Sequence, residues 1–250
     1  MSKISSSFSE VLSELESINL TEMDAVRLMN RTDTKFVFSQ NKLGGLLKEL
    51  SKDYKVLEIN GNKVSNYKTL YFDTKNFDFF LEHHNGKANR YKIRIRQYIE
   101  SNLFFLEIKH KFKGRTDKVR IPINDFEEDL STKSKAFIFG VLEKEVSLEP
   151  KLWNSFSRIT LVNKHEKERL TFDLGVQYSI GEKKVAYDHL VIAELKQEKL
   201  NRLSTFYKLM KEKMIRPYSI SKYCVGSIGL YPELKYNNFK SKLIFIDKID

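Results

Sequence analysis

The chain has 250 residues, and its 44 Lys and Arg against 33 Asp and Glu give a formal net charge of +11. That length makes one large domain or two small ones and carries a core without staples, and the positive excess points to a polyanionic partner. A hydrophobic content of 41% excludes a disordered basic tail, and the single cysteine, Cys224, excludes an internal disulfide and a multi-cysteine metal site.

The first eight residues are Ser-rich with no apolar run behind Lys3, so no secretory signal is expected and the cytoplasm is the expected location. The richest apolar run, 136–142, is far short of a membrane span. Phe8, Val11, Leu12 and Leu15 share one face of a helix, and Thr21 is placed to cap a turn carrying Met23, Val26 and Leu28. Alternating segments at 31–38, 67–73, 90–98, 103–111, 118–123, 158–164, 169–174 and 189–196 read as strands. Helical patterns interrupt them at 41–50, 76–84, 134–142, 204–213 and 219–228. Asn60-Gly61-Asn62-Lys63 reads as a hairpin turn and lacks the glycine spacing of a phosphate loop. This is an α+β pattern rich in antiparallel strands, with no regular βαβ alternation. Residues 1–30 form an N-terminal helical segment, 31–231 the strand-rich domain and 232–250 a C-terminal extension.

Side chains on a strand alternate between faces. One set of faces carries Asp33 and Lys35; Arg90, Lys92, Arg94 and Arg96; Glu107, Lys109 and Lys111; Lys118 and Arg120; Arg158, Thr160 and Lys164; Arg169, Thr171 and Asp173; and Glu194 with Lys196. The opposite faces are apolar. Any one such face is an ordinary solvated strand surface. Together they are dominated by like charges that repel side by side, and a bound polyanion supplies the missing counter-charge. An eight-stranded antiparallel barrel with cations inward and helices outside fits the pattern and has room for a small ligand. Glu107-x-Lys109 and Glu194-x-Lys196 each put a carboxylate and an ammonium on one face, either as a salt bridge or as a carboxylate for a hard divalent cation.

In order along the chain stand R-T-D-T-K-F from Arg31, Y-K-T-L-Y-F-D-T from Tyr67, Y-K-I-R-I-R-Q-Y from Tyr91 and L-E-I-K-H-K from Leu106. R-L-T-F-D from Arg169, A-E-L-K from Ala193 and S-K-Y from Ser221 complete the series. This series resembles the VTC domain, the polyphosphate polymerase domain of the vacuolar transporter chaperone complex, in its stand-alone bacterial form. That domain belongs to the triphosphate tunnel metalloenzymes. The resemblance implies a tunnel barrel in which the γ-phosphoryl group of ATP passes to a polyphosphate chain with Mn²⁺ or Mg²⁺. It implies catalytic roles on phosphate for Lys35, Arg94, Arg96, Lys109, Arg169, Lys196 and Lys222. Lys92, Lys118, Arg120, Lys164 and Ser221 add phosphate contacts, Glu194 is the metal carboxylate and Glu107 the second candidate. It leaves export of the product to a membrane-protein partner, which would bring the protein to the inner face of the membrane.

Two positions depart from the family pattern. Its Y-x-R before R-x-T-x-D is set against Val162-Asn163-Lys164, and the superfamily's E-x-E-x-K against Arg31-x-Asp33-x-Lys35, which weakens a two-metal triphosphatase. Phosphoryl transfer rests on positioning and charge neutralisation, and an ionised phosphate needs no general base. In keeping with that, His83, His84 and His110 read as structural, Tyr67 and Tyr71 as wall packing and Cys224 as a buried apolar residue. A triphosphatase and a non-catalytic polyanion-binding module are the rival readings. No nucleic acid is expected, because the cationic faces carry few aromatic platforms.

Overall fold

The computed structural model describes residues 8–25, 31–113 and 115–249. Its first part holds α1 (Ser9–Glu14), β1 (Ser17–Ile18), α2 (Leu20–Ala25), β2 (Thr32–Ser39), α3 (Leu43–Leu50), β3 (Tyr54–Leu57), β4 (Ser65–Asp73) and α4 (Asp78–His84). The middle holds β5 (Arg90–Tyr98), β6 (Leu103–Phe112), β7 (Arg115–Ile123), α5 (Thr132–Leu142) and β8 (Glu149–Asn163). The rest is β9 (Glu168–Ile180), β10 (Lys183–Tyr187), β11 (Leu190–Gln197), α6 (Thr205–Glu212), α7 (Lys222–Leu230) and α8 (Lys240–Asp247). Val26 and Leu28, expected on the second helix, lie outside the described residues. That helix is capped by Asn19 rather than Thr21: the Asn19 side chain accepts from Glu22 N–H, and the Glu22 carboxylate accepts from Asn19 N–H, a reciprocal box. Among the described residues no helix is long and apolar enough to cross a membrane.

The fold is α+β. Strands β2-β11-β9-β8-β4-β5-β6-β7 follow one another in a single curled antiparallel sheet, with β10 beside β9 and β3 beside β8. Among the described residues the expected barrel is not closed by hydrogen bonds: β2 and β7 are the two ends of the path. The curl still brings β2 round to β5 and β6, so that Lys35 lies within electrostatic reach of Lys92 and Lys111. The Asn60-Gly61 turn is a two-residue hairpin loop with both residues at positive φ and Ile59 and Asn62 exchanging hydrogen bonds, the primed geometry that suits strand twist.

Two apolar clusters cover the outside of the sheet. Phe36, Phe38, Leu170, Phe172, Ala193 and Leu195 pack under α1, α3 and α6. Leu46, Leu47 and Leu50 repeat at helical spacing and turn the inner stripe of α3 onto this cluster. Leu70, Phe72, Ile93, Ile95, Leu106 and Ile108 pack under α5 and Phe79. A third cluster lies on the concave side. At Gly175, held at φ +56, β9 leaves its regular register with β8, and the inward face of β9 changes from Arg169, Thr171 and Asp173 to Val176 and Tyr178. Glycine takes that backbone without the cost of a Cβ. Val176 and Tyr178 join Val37, Tyr71, Leu152 and Ile192 around α7. The concave face is therefore cationic toward one end and apolar toward the other.

Candidate phosphate tunnel

The inward side chains of the cationic half assemble into three groups, each a carboxylate between two cations. Glu107 on β6 accepts from Arg94 Nε and Nη2 at 2.8 and 2.6 Å and from Lys118 of β7. Asp173 on β9 accepts from Arg158 Nε and Nη2 at 2.5 and 2.8 Å and from Lys222 at the start of α7. Glu194 on β11 pairs with Lys35 of β2, across the strand pair at 2.6 Å, and with Lys196. Glu107 and Asp173 are deeply buried and Glu194 largely so, and burial pushes the pKa of each up. The flanking cations outweigh that: Arg94, Arg96 and Lys118 around Glu107, Arg158 and Lys222 around Asp173, and Lys196, Lys35 and Lys109 around Glu194 hold all three well below the usual range.

Lys92, Arg96, Lys109 and Arg169 are inward cations with no carboxylate partner among the described residues. Lys92 donates to the Ser221 hydroxyl at 2.9 Å. Arg96 donates to Thr69 Oγ1 at 3.2 Å and lies 5.4 Å over the rings of Tyr67 and Phe156. Lys109 and Arg169 make no hydrogen bond or ion pair within the described residues. Burial lowers the pKa of all four, and neighbouring cations add to it, such as Arg94 beside Lys109 and Arg96. An oligophosphate is the counter-charge such a surface lacks. Arg96→Ala is expected to weaken tripolyphosphate binding by about 1.5–3 kcal/mol, the range for a hydrogen bond to a charged group. Calorimetry measures it, and unchanged affinity removes Arg96 from the site.

Lys118 titrates in an accessible range. Burial, with Arg94 and Arg96 nearby, outweighs its pairing with Glu107 and lowers its pKa from 10.5 to about 8. Two opposite slopes follow. The unfolded chain holds this proton up to 10.5, so between about 8 and 10.5 Lys118 makes folding stability rise with pH. A bound phosphate chain favours the ammonium form, so affinity for tripolyphosphate is expected to fall as pH rises through about 8, with proton uptake on binding. Calorimetry in buffers of different ionisation enthalpy measures that uptake; an affinity flat across this range would separate Lys118 from the ligand.

The remaining expected residues separate into inside and outside. Arg120 sits at the exposed rim on β7, 4.2 Å over the Phe105 ring. Ser221 caps α7, accepting from Cys224 N–H at 3.3 Å. Lys164 is not in the tunnel: it follows β8, pairs with Glu16 at 3.3 Å and bonds the Ser51 carbonyl. The tunnel guanidinium of that strand is Arg158, two residues after Phe156, so β8 carries an aromatic-x-Arg with phenylalanine in place of tyrosine. The family's aromatic-x-Arg therefore falls on Phe156-x-Arg158 rather than on Val162-Asn163-Lys164, and the guanidinium is retained. Aromatic rings also share the cationic faces, contrary to expectation. Tyr67 stacks on Phe156 at 5.0 Å, and Tyr71 accepts from Arg94 Nη1 at 3.2 Å. These rings are buried against each other and the guanidiniums, so they are wall rather than open platforms. His110 stacks on Tyr91, and burial holds His83 neutral with its pKa near 2.

Glu107 is fully enclosed, with both oxygens engaged by cations. Glu194 retains some exposure. Opposite it in register on β9, the Thr171 hydroxyl is buried without a hydrogen-bond partner among the described residues. No three His, Cys, Asp or Glu come together as a protein cage among the described residues. One carboxylate beside an orphaned hydroxyl fits an ion such as Mg²⁺ that keeps waters and arrives with substrate phosphates, rather than a resident cage.

A family model described as the VTC domain matches residues 30–231. A search of curated proteins finds no match. Among solved structures, an adenylyl cyclase-like protein from Hippeastrum described as having a dominant triphosphatase activity is similar, with 18% identity over 84% of this chain and 100% of the other and a TM-score of 0.47. An adenylate cyclase-like protein from Bacillus halodurans shows 15% identity over 77% and 96% of the two chains, with a TM-score of 0.46.

Proposed function

The chain belongs to the VTC domain family, and from this we propose that it is a polyphosphate polymerase that uses ATP as phosphoryl donor inside the basic tunnel. The observation that carries the reading is the inward set of Lys92, Arg96, Lys109 and Arg169, buried or half-buried without an ion-paired carboxylate among the described residues, beside three cation–carboxylate–cation groups. In the reaction the bond from the γ-phosphorus to the β–γ bridging oxygen breaks. A bond forms from that phosphorus to a terminal oxygen of the acceptor chain, and ADP leaves. The acceptor oxygen is already ionised, so no protein base is required.

The residues of the chain hold and orient. Arg94 and Arg158 are fixed by Glu107 and Asp173 with their forks already formed, so little side-chain entropy is lost when they turn a free N–H to phosphate. Lys109 and Arg169 neutralise charge on the equatorial oxygens. Lys35 and Lys196 pair with Glu194 and would also contact phosphate, and Glu194 would be the carboxylate that holds Mn²⁺ or Mg²⁺. A divalent ion held there would supply charge neutralisation at the phosphates. The test is incubation of the pure protein with ATP and Mn²⁺. Long polyphosphate supports the polymerase, free phosphate alone replaces it with a triphosphatase, and neither product leaves a polyanion-binding module.

A further inference from the structure

Helix α5 holds the richest apolar run of the chain, 136–142, yet only one side of it is inside. Ser134, Ile138 and Leu142 repeat every four residues and are buried toward the sheet. The opposite side presents Lys133, Ala136, Phe139, Gly140 and, at the C-terminal cap, Glu143, all of them exposed. Between its two charged ends that face is wholly apolar, and Phe139 leaves 52% of its surface open. A helix that is apolar all round is ordinarily covered all round. Gly140 adds a second mark. Its backbone is helical, and an added Cβ would meet nothing within 4 Å. Glycine inside a helix costs about 1 kcal/mol relative to alanine, and nothing within the subunit requires it there. With Ala136 it leaves a shallow floor beside the Phe139 ring, as a helix does where another helix comes close.

The order of residues along the stripe says which helix. Lys133, Ala136, Gly140 and Glu143 follow at spacings of three, four and three, so they form one straight row on one face. The row is symmetric about Ile138. Turned end for end onto itself, it sets Ala136 against Gly140 and Lys133 against Glu143. Neither of those charged side chains has a hydrogen bond or an ion pair among the described residues. The same turn drops Phe139 into the space bounded by Lys133, Ala136, Phe137 and Gly140, the four positions that make a hole for a facing knob. A parallel arrangement would instead stack Lys133 on Lys133 and Glu143 on Glu143.

We propose that α5 is a self-association face. A second copy of this chain packs its own α5 against it, antiparallel about a two-fold axis, with Phe139 of each copy seated over Ala136 and Gly140 of the other. Such an interface is isologous and closes at two copies. It lies on the convex side of the sheet, over the cluster of Leu70, Ile93 and Leu106, so both tunnels stay free.

Sedimentation equilibrium over a concentration series tests this, in phosphate-free buffer so that no polyanion bridges two tunnels. The wild-type chain is expected to pass from monomer to dimer, and Phe139→Lys to raise the dissociation constant more than about tenfold, the effect of losing a central aromatic anchor. Lys133→Glu and Glu143→Lys should each dimerise more weakly than the wild type. Mixed with each other, the two variants should associate more tightly than either does alone, because only the mixed pair sets opposite charges together at both ends. A chain that stays monomeric throughout the series would overturn the proposal. So would a dimer indifferent to Phe139→Lys, or a mixture of the two charge variants that gains nothing over each variant alone.

Discussion

Glu194→Gln is expected to abolish Mn²⁺-dependent turnover of ATP while metal-free binding of tripolyphosphate persists or tightens. The side chain sits between Lys35 and Lys196, with Lys109 close enough to help hold it ionised. Replacing it with the isosteric amide removes one negative charge from a lumen that already has too few. Lys35 and Lys196 then turn more readily to phosphate, which accounts for binding that does not weaken. A divalent ion loses a carboxylate with an accessible face, and glutamine brings no charge to hold it. If Glu194 served only as partner to the lysines, turnover would survive and the Mn²⁺ titration would not shift. A Mn²⁺ titration of activity beside metal-free calorimetry on the same variant separates the two, and wild-type activity with an unshifted response would return Glu194 to a purely structural pair.

The parts of this architecture that depend on local alternation were legible in the sequence. The strand Arg90–Tyr98 has the bounds its pattern implies, and Lys92, Arg94 and Arg96 share its inward face as period two requires. What lay beyond reach was long-range. Nothing near Asp173 in sequence announces that it will grip Arg158 on the neighbouring strand and Lys222 from a helix far along the chain. Alternation also fails at irregularities. The first half of β8, with Pro150, Lys151, Asn154 and Ser155, has no clean apolar rhythm, so alternation does not reveal its start or that Phe156-x-Arg158 lies mid-strand. At Gly175 the inward face shifts by one residue, and a periodic reading carried past that point puts Val176 and Tyr178 on the wrong side. The apolar run of α7 marks a helix, but only the packed structure puts it inside the curl of the sheet.

Glu107 bears the other large effect, on stability rather than turnover. It is wholly inaccessible, Arg94 beside it is nearly so, and the guanidinium reaches one of its oxygens through two nitrogens. Glu107→Gln leaves Arg94 and Lys118 without a counter-charge. Breaking a buried ion pair from one side costs about 3–5 kcal/mol, because the remaining charge stays buried and unpaired. Urea unfolding should show that loss as a lower midpoint at unchanged slope. Saturating tripolyphosphate should recover part of it, since the ligand binds only the folded tunnel and supplies the missing negative charge. The acid limb carries a second signature. With its folded pKa held below the unfolded value of 4.5, Glu107 contributes stability that is present above 4.5 and lost as pH falls through the folded value. The variant should therefore lose less stability than the wild type on acidification below 4.5. A loss under about 1 kcal/mol, the scale of an exposed pair, together with an unchanged acid limb, would mean that Arg94 is not fixed by Glu107 before substrate arrives, and the preformed guanidinium fork would have to be abandoned.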